Sequence, residues 1–239
     1  MSKDMEFDIQ GATTDLLTLS LKPGESIYVE TGSLVSMDND ITLQATMSDG
    51  TDVGRNIFSR FFQIFKRRFI GGTFFLTRLT NTGDKNQEVT ITPGESGSQV
   101  LPVLIGREIL EFYIIRGYFL GATSGVSIGA GIKFKPISSM MGSAELVLNK
   151  LSGKGYGFIK SKGPLYVKEL EEGEKIKVDE HSLIGLTKNV NYSVHVIKGQ
   201  TNRMFAGEGY ILYELEGPGS VVLQAFKREG IKKRKRHQE

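Results

Sequence analysis

Cysteine and tryptophan are absent from this 239-residue chain, and histidine occurs only three times. Without cysteine there are no disulfides and no thiolate metal sites, which suits a reducing compartment. The histidines, His181, His195 and His237, never form the His-X-His pair that a metal-binding β-sandwich of the cupin kind would use. Proline is scarce, with six residues against 29 glycines, and the glycines follow no Gly-X-Y period. That balance suits many short strands joined by tight turns needing positive φ. No apolar run approaches the roughly 20 residues that cross a bilayer as a helix. The first eight residues carry Asp4, Glu6 and Asp8 and lack an apolar stretch, unlike a secretory signal or an Arg-rich presequence. The expected location is cytoplasmic, with peripheral attachment to a membrane left open.

Charge is unevenly distributed. The net value is +3, yet residues 227–239 hold seven Lys/Arg and two Glu, a local +5. Residues 55–68 hold five Lys/Arg and no acid, a second +5, so the remainder carries −7. The chain is an acidic body with two basic attachments.

One pattern occurs three times. Ile27-Tyr-Val-Glu-Thr-Gly-Ser-Leu-Val-Ser aligns with Ile176-Lys-Val-Asp-Glu-His-Ser-Leu-Ile-Gly, and upstream Leu21-Lys-Pro-Gly-Glu faces Leu170-Glu-Glu-Gly-Glu. A middle copy, Phe112-Tyr-Ile-Ile-Arg-Gly-Tyr-Phe-Leu-Gly, sets Gly117 opposite Gly32. Each copy has a second block, residues 71–79, 143–151 and 207–215. Apolar residues alternate within the blocks, as in Ile27/Val29, Phe112/Ile114, Ile176/Val178, Phe74/Leu76, Leu146/Leu148 and Tyr210/Leu212. Period two bounded by Gly, Asn and Asp predicts half-buried antiparallel strands. The expectation is an all-β chain of three repeated β-sandwich units, spanning residues 5–93, 94–160 and 161–226, with a basic disordered tail at 227–239. A single unit buries too little surface to stand alone, so units must share cores or edges, and closure into a ring would remove exposed edges.

The runs Phe69-Ile-Gly-Gly-Thr-Phe-Phe-Leu, Ile114-Ile-Arg-Gly-Tyr-Phe-Leu-Gly-Ala and Phe205-Ala-Gly-Glu-Gly-Tyr-Ile-Leu resemble the family named for altered inheritance of mitochondria protein 24. The likeness covers roughly residues 5–226. It implies a fold similar to the tryptophan RNA-binding attenuation protein, with three sandwich units per chain, exchanged terminal strands, and three chains in a ring. The expected partner is therefore the chain itself, as a homotrimer. The resemblance brings no catalytic motif.

The copies differ in one place. Val126 to Leu146 and Val190 to Tyr210 are each 20 residues apart, whereas Ile41 to Phe74 are 33 apart. The additional 13 residues fall at 55–69. On a helix, Ile57, Phe58, Phe61, Phe62, Ile64, Phe65 and Phe69 share an arc of about 160°. Arg60, Gln63, Lys66 and Arg67 lie opposite, and only Arg68 breaks the pattern. Such a basic amphipathic helix can lie on anionic lipid or a partner protein, with Arg55, Phe58, Arg60, Phe61, Phe62, Phe65, Lys66 and Arg67 in contact. The same face can equally pack against the protein's own sheets or between subunits. The tail run Lys232, Lys233, Arg234, Lys235 and Arg236 is a candidate phosphate contact, or simply a solvated tail.

No residue draws a catalytic role, and neither a metal nor a cofactor is expected. Asp179-Glu-His181 has no second histidine nearby. Gly153-Lys-Gly-Tyr-Gly157 imitates a phosphate loop, but no helix pattern or Lys-Ser/Thr follows, so the run reads as a turn between strands. No Gly-X-Ser-X-Gly elbow occurs. Glu171-Glu172 and Asp38-Asn-Asp40 read as hairpin turns rather than acid/base pairs or calcium loops. The function expected is a non-enzymatic ring-forming scaffold that docks an anionic membrane surface or a partner protein. The alternatives are a nucleic-acid-binding ring, which an acidic body disfavours, and a small-molecule-binding protein.

Overall fold

A computed structural model of the protein describes residues 5–47, 75–115, 117–134, 146–197 and 210–225. Among these residues the regular elements are nineteen β-strands, arranged in four sheets. Sheet 1 runs β1 (Glu6–Gln10), β2 (Leu16–Leu21), β7 (Gln87–Ile91), β4 (Leu34–Met37). Sheet 2 runs β5 (Ile41–Met47), β6 (Phe75–Asn81), β3 (Ser26–Glu30), β10 (Phe119–Thr123), β13 (Gly155–Lys160), β8 (Val100–Ile105). Sheet 3 runs β11 (Val126–Phe134), β12 (Leu146–Gly153), β9 (Glu111–Ile115), β16 (Leu183–Thr187), β19 (Gly219–Gln224), β14 (Leu165–Leu170). Sheet 4 runs β15 (Lys175–Asp179), β18 (Tyr210–Glu216), β17 (Asn191–Ile197). Every neighbouring pair is antiparallel, and no sheet closes into a barrel.

The apolar alternation explains the layering. Leu17, Leu19 and Leu21 of β2 and Val89 and Ile91 of β7 pack on Ile27, Val29, Leu79, Leu120 and Phe158 of sheet 2. A second core joins sheets 2 and 3 through Val103, Phe119 and Ile159 on one side and Phe112, Ile114 and Leu151 on the other. A third joins sheets 3 and 4 through Leu148, Leu183 and Val221 against Val178, Tyr213 and Leu215. The middle sheets thus carry core residues on both faces. Strand β10, buried at all five positions, sends Phe119 and Ala122 into one core and Leu120 into another. A strand covered on both faces reads as a continuous apolar run, and Phe-Leu-Gly-Ala is such a run.

The alternation expected in β18 proves offset by one residue. Tyr213 and Leu215 are buried while Leu212 is only half-buried, so the core face is the odd-numbered one. One step along a strand exchanges its two faces. The partner β15 sets this register by pairing Ile176 with Leu215.

Turn chemistry follows the sequence closely. Lys22-Pro-Gly-Glu25 joins β2 to β3, with Gly24 at φ 79° and the Glu25 N–H donating to the Lys22 carbonyl at 2.9 Å. Pro followed by a positive-φ Gly is what a type II turn requires. The Glu25 carboxylate also accepts the Lys22 N–H at 2.9 Å. Glu171 to Glu174 repeats this arrangement, with Gly173 at φ 76° and a carboxylate bond of 3.1 Å. β-bulges interrupt β4 between Leu34 and Ser36, β10 between Phe119 and Gly121, and β16 between Leu183 and Gly185. At Gly185 an added Cβ would lie 2.6 Å from both the Phe112 ring and the Tyr113 carbonyl oxygen, so glycine there permits the close approach of β9.

Across sheet 2, Glu30 on β3 accepts a hydrogen bond from the Lys160 ammonium on β13. Burial pushes the Glu30 carboxyl above its ordinary range, and Lys160 only partly offsets that. In sheet 3, by contrast, Lys188, Lys150 and the Tyr113 hydroxyl all donate to Glu111 and hold its carboxyl below the usual range.

Two outcomes follow from this packing. Phe112 is 1% exposed, and Phe112→Ala removes the centre of the second core at a cost of about 3–5 kcal/mol, read from chemical denaturation. A carboxyl whose pKa is raised on folding favours the native state below its unfolded value and loses that contribution as pH climbs through the raised value. Glu30 therefore makes stability fall as pH rises from about 4.5, its ordinary value. Melting curves across pH 4 to 7 will show Glu30→Gln gaining stability relative to the parent as pH rises; a constant difference would refute the assignment.

Candidate functional site

Strands β3 and β10 join the first and second thirds of the chain edge to edge, pairing Gly121 with Val29 and Thr123 with Ile27. At one end of this seam lies a cleft of about 780 Å³. Glu25 and Ser26 border it from the first third of the chain, while Leu104 to Arg107, Thr123 to Gly125 and Lys154 to Tyr156 border it from the second. Three turns build it. The Lys154 N–H donates to the Gly125 carbonyl at 2.9 Å, and the Tyr156 N–H donates to the Thr123 hydroxyl at 3.0 Å. Gly106, at φ 93°, lies so near that an added Cβ would meet the Lys154 Cγ at 2.8 Å. These contacts set the Arg107 and Lys154 side chains in one wall. Tyr156 is fixed by Phe7, edge-on at 5.0 Å, and by Phe158, stacked at 6.1 Å.

A smaller cleft, about 190 Å³, opens beside Glu95, Ser98, Tyr118, Lys160 and Lys162. Its charges are mutually satisfied, since Lys160 bonds Glu30 and Lys162 lies 3.8 Å from Glu95. The Tyr118 hydroxyl accepts from the Gln224 amide at 2.6 Å, and burial raises its pKa. Among the described residues the buried Ser98 hydroxyl has no hydrogen-bond partner.

The acidic clusters flagged in the sequence serve turns. The Asp38 carboxylate accepts the Glu88 N–H at 2.7 Å, and that of Asp40 accepts from the Gln87 side chain at 3.2 Å. The Asp179 carboxylate accepts the His181 N–H at 2.9 Å, closing the turn after β15, and the His181 imidazole lies 3.3 Å from Glu180. His195 sits within β17 opposite Leu212. Among the described residues no three His, Asp or Glu side chains converge as a metal site. Residues 55–69 and the tail, including Lys232, Lys233, Arg234, Lys235 and Arg236, lie outside the described residues. Sequence reasoning did not single out Arg107 and treated Lys154 only as part of a turn. Strand pairing alone brings them together, by setting Ile105 opposite Gly155.

This architecture has counterparts. A Streptococcus pyogenes protein, SPYM3_0169, solved by X-ray crystallography, superposes with a TM-score of 0.67 over 93% of this chain and 94% of its own, at 20% identity. The uncharacterized protein M6_Spy0233 of Streptococcus pyogenes serotype M6 is 19% identical over 90% of this chain and 82% of its own. The protein of Penicillium rubens named altered inheritance of mitochondria protein 24, mitochondrial, is 21% identical over 80% of this chain, which spans 43% of that longer protein. Residues 7–226 match the model of the family described as mitochondrial biogenesis AIM24, and the chain belongs to that family.

Proposed function

We propose that the protein is a non-enzymatic scaffold whose three-unit chains join head to tail into a homotrimeric ring, and that the ring docks on an anionic membrane surface through residues 55–69. The observation that carries the assembly is the exposure of β4. Its Val35 and Met37 are 53% and 41% exposed, yet the matching positions on the later strands, Leu120 and Ala122 on β10 and Ile184 and Leu186 on β16, are buried. Strand β10 is covered on its open side by β3, and β16 by β9. Among the described strands β4 pairs only with β7, and β15 only with β18.

Recurring hydrogen bonds support the three-unit reading. The backbone N–H groups of Glu88, Tyr156 and Ser220 donate to the side-chain oxygens of Asp38, Thr123 and Thr187. Those of Thr92, Lys160 and Gln224 donate to the carbonyls of Ser33, Tyr118 and Ser182. The three bulges fall at the same step. If units repeat, the missing neighbour of β4 is a β15 strand and the reverse, so each free edge fits the other on a second copy. The register of the two internal seams, with Val29 opposite Gly121 and Ile114 opposite Gly185, puts Val178 of one copy opposite Ser36 of the next. This contact is heterologous and closes only as a ring or extends as a fibre. The count of three chains rests on the family resemblance.

The insertion at 55–69 occurs in the first unit alone, so a trimer carries three on one assembly. Each contains several Phe residues with flanking cations in its sequence, and three weak anchors on one rigid body bind far more strongly than one. A membrane-facing ring suits a family described by mitochondrial biogenesis, and it requires no membrane-spanning helix.

Two measurements test the two parts. Light scattering at dilute concentration is expected to return three times the chain mass of 26.4 kDa, and Val35→Lys with Met37→Lys to return the monomer without unfolding. A wild-type monomer would sink the ring. Wild-type protein should co-sediment with anionic vesicles, less at high salt, and little with neutral ones. Replacing Phe58, Phe61, Phe62 and Phe65 by Ser should abolish vesicle binding while leaving the trimer intact. Loss of folding or assembly instead would mean that this face is core.

A further inference from the structure

The residues bordering the cleft at the first seam differ from those at the matching positions of the second in a way the fold does not demand. Pairing sets Ile105 opposite Gly155 at the first seam and Leu170 opposite Gly219 at the second. Two residues beyond Ile105 stands Arg107, and two beyond Leu170 stands Glu172. One residue before Gly155 stands Lys154, and before Gly219 stands Pro218. The supporting hydrogen bonds are the same, with Thr123 and Thr187 each accepting a backbone N–H at 3.0 Å. The seam therefore forms with an acid and a proline in these places, and the paired cations are an addition. Corresponding positions beside β2 and β7 carry Pro23 and Asn86, again without cations.

We infer that this cleft binds a small organic anion with an apolar body, one per chain, independently of how chains assemble. Its volume of about 780 Å³ lies within the 300–1,000 Å³ range of small-molecule sites. The Arg107 guanidinium already makes an interaction within the protein, but its planar fork of five donors leaves N–H groups for a carboxylate or phosphate, and Lys154 adds a mobile point charge. Lys154 forms no ion pair among the described residues. The one acid in the wall, Glu25, is already engaged by the Lys22 N–H at 2.9 Å and lies 4.0 Å from the Lys22 ammonium. Apolar contact comes from Met5, Leu104 and the fixed ring of Tyr156. Two cations against a hydrophobic wall are too few to track a nucleic-acid backbone, but they suit an acid group joined to one ring or a short chain.

The test is calorimetric titration of the full chain with phenyl phosphate and with phenylacetate, using phenol and inorganic phosphate as controls. Both organic anions should bind with one site per chain. Phenol should bind at least tenfold more weakly for lack of charge, and inorganic phosphate likewise for lack of an apolar body. Lys154→Gln alone, at an exposed side chain, should keep the parental melting temperature and weaken both anions several-fold, and the double variant Arg107→Gln, Lys154→Gln should weaken both at least tenfold. Lys162→Gln, in the smaller cleft, should leave them unchanged. The inference is overturned if neither organic anion binds, if inorganic phosphate binds equally well, or if the double variant retains full affinity.

Discussion

Edge pairing between β3 and β10, and again between β9 and β16, is the constraint on which the molecule rests. A β-strand left at a sheet edge exposes a row of unpaired N–H and C=O groups, and such edges invite further pairing. Here successive parts of the chain cover one another's edges, so that sheets 2 and 3 each combine strands from two different stretches of sequence. The cores inherit this exchange. Each lies between two sheets, and each inner sheet serves two cores, so no third of the chain owns an independent hydrophobic interior. Covering an edge and filling a core are the same event at β10, which explains why its five residues are all buried. The same reasoning makes β4 conspicuous, because it has the chemistry of a covered strand and the exposure of an uncovered one.

Much of this was legible in the sequence because period two and turn residues act locally. Ile27, Phe112 and Ile176, which align in sequence, each lie opposite a leucine, at Leu79, Leu151 and Leu215. Lys22-Pro-Gly-Glu25 declares its turn outright, because proline and a positive-φ glycine leave little alternative. What local pattern could not settle was the buried face of β18. Tyr210, Leu212, Tyr213 and Leu215 offer apolar residues to both faces, and the pairing with β15 and β17 chooses between them. The candidate cleft was illegible for the same reason on a larger scale. Arg107 and Lys154 are distant in sequence and sit in unremarkable turns, and their proximity depends on β8 pairing with β13. In the Gly153 to Gly157 run, expected to be a turn, only Lys154 lies outside a strand, as the single-residue bend between β12 and β13. Its importance lies in the lysine it carries, which glycine spacing alone does not reveal.

The charge distribution ties these features together. A body carrying about −7, outside two basic stretches, repels anions in general, and at physiological salt that repulsion fades beyond roughly 8 Å. Within that distance local arrangement governs. Arg107 and Lys154 can therefore attract an acid group into the cleft while the surrounding surface discourages loose anion binding, which favours selection over affinity. In the proposed docking, the basic stretch at 55–68 would follow the same rule on a larger target, since a membrane presents many anionic headgroups within one Debye length whereas a single solute does not. A uniformly basic protein would have neither discrimination. The acidic body is thus part of how each cationic feature would recognise its partner, and placing positive charge in the second seam, at Glu172, would blur that distinction rather than add a useful site.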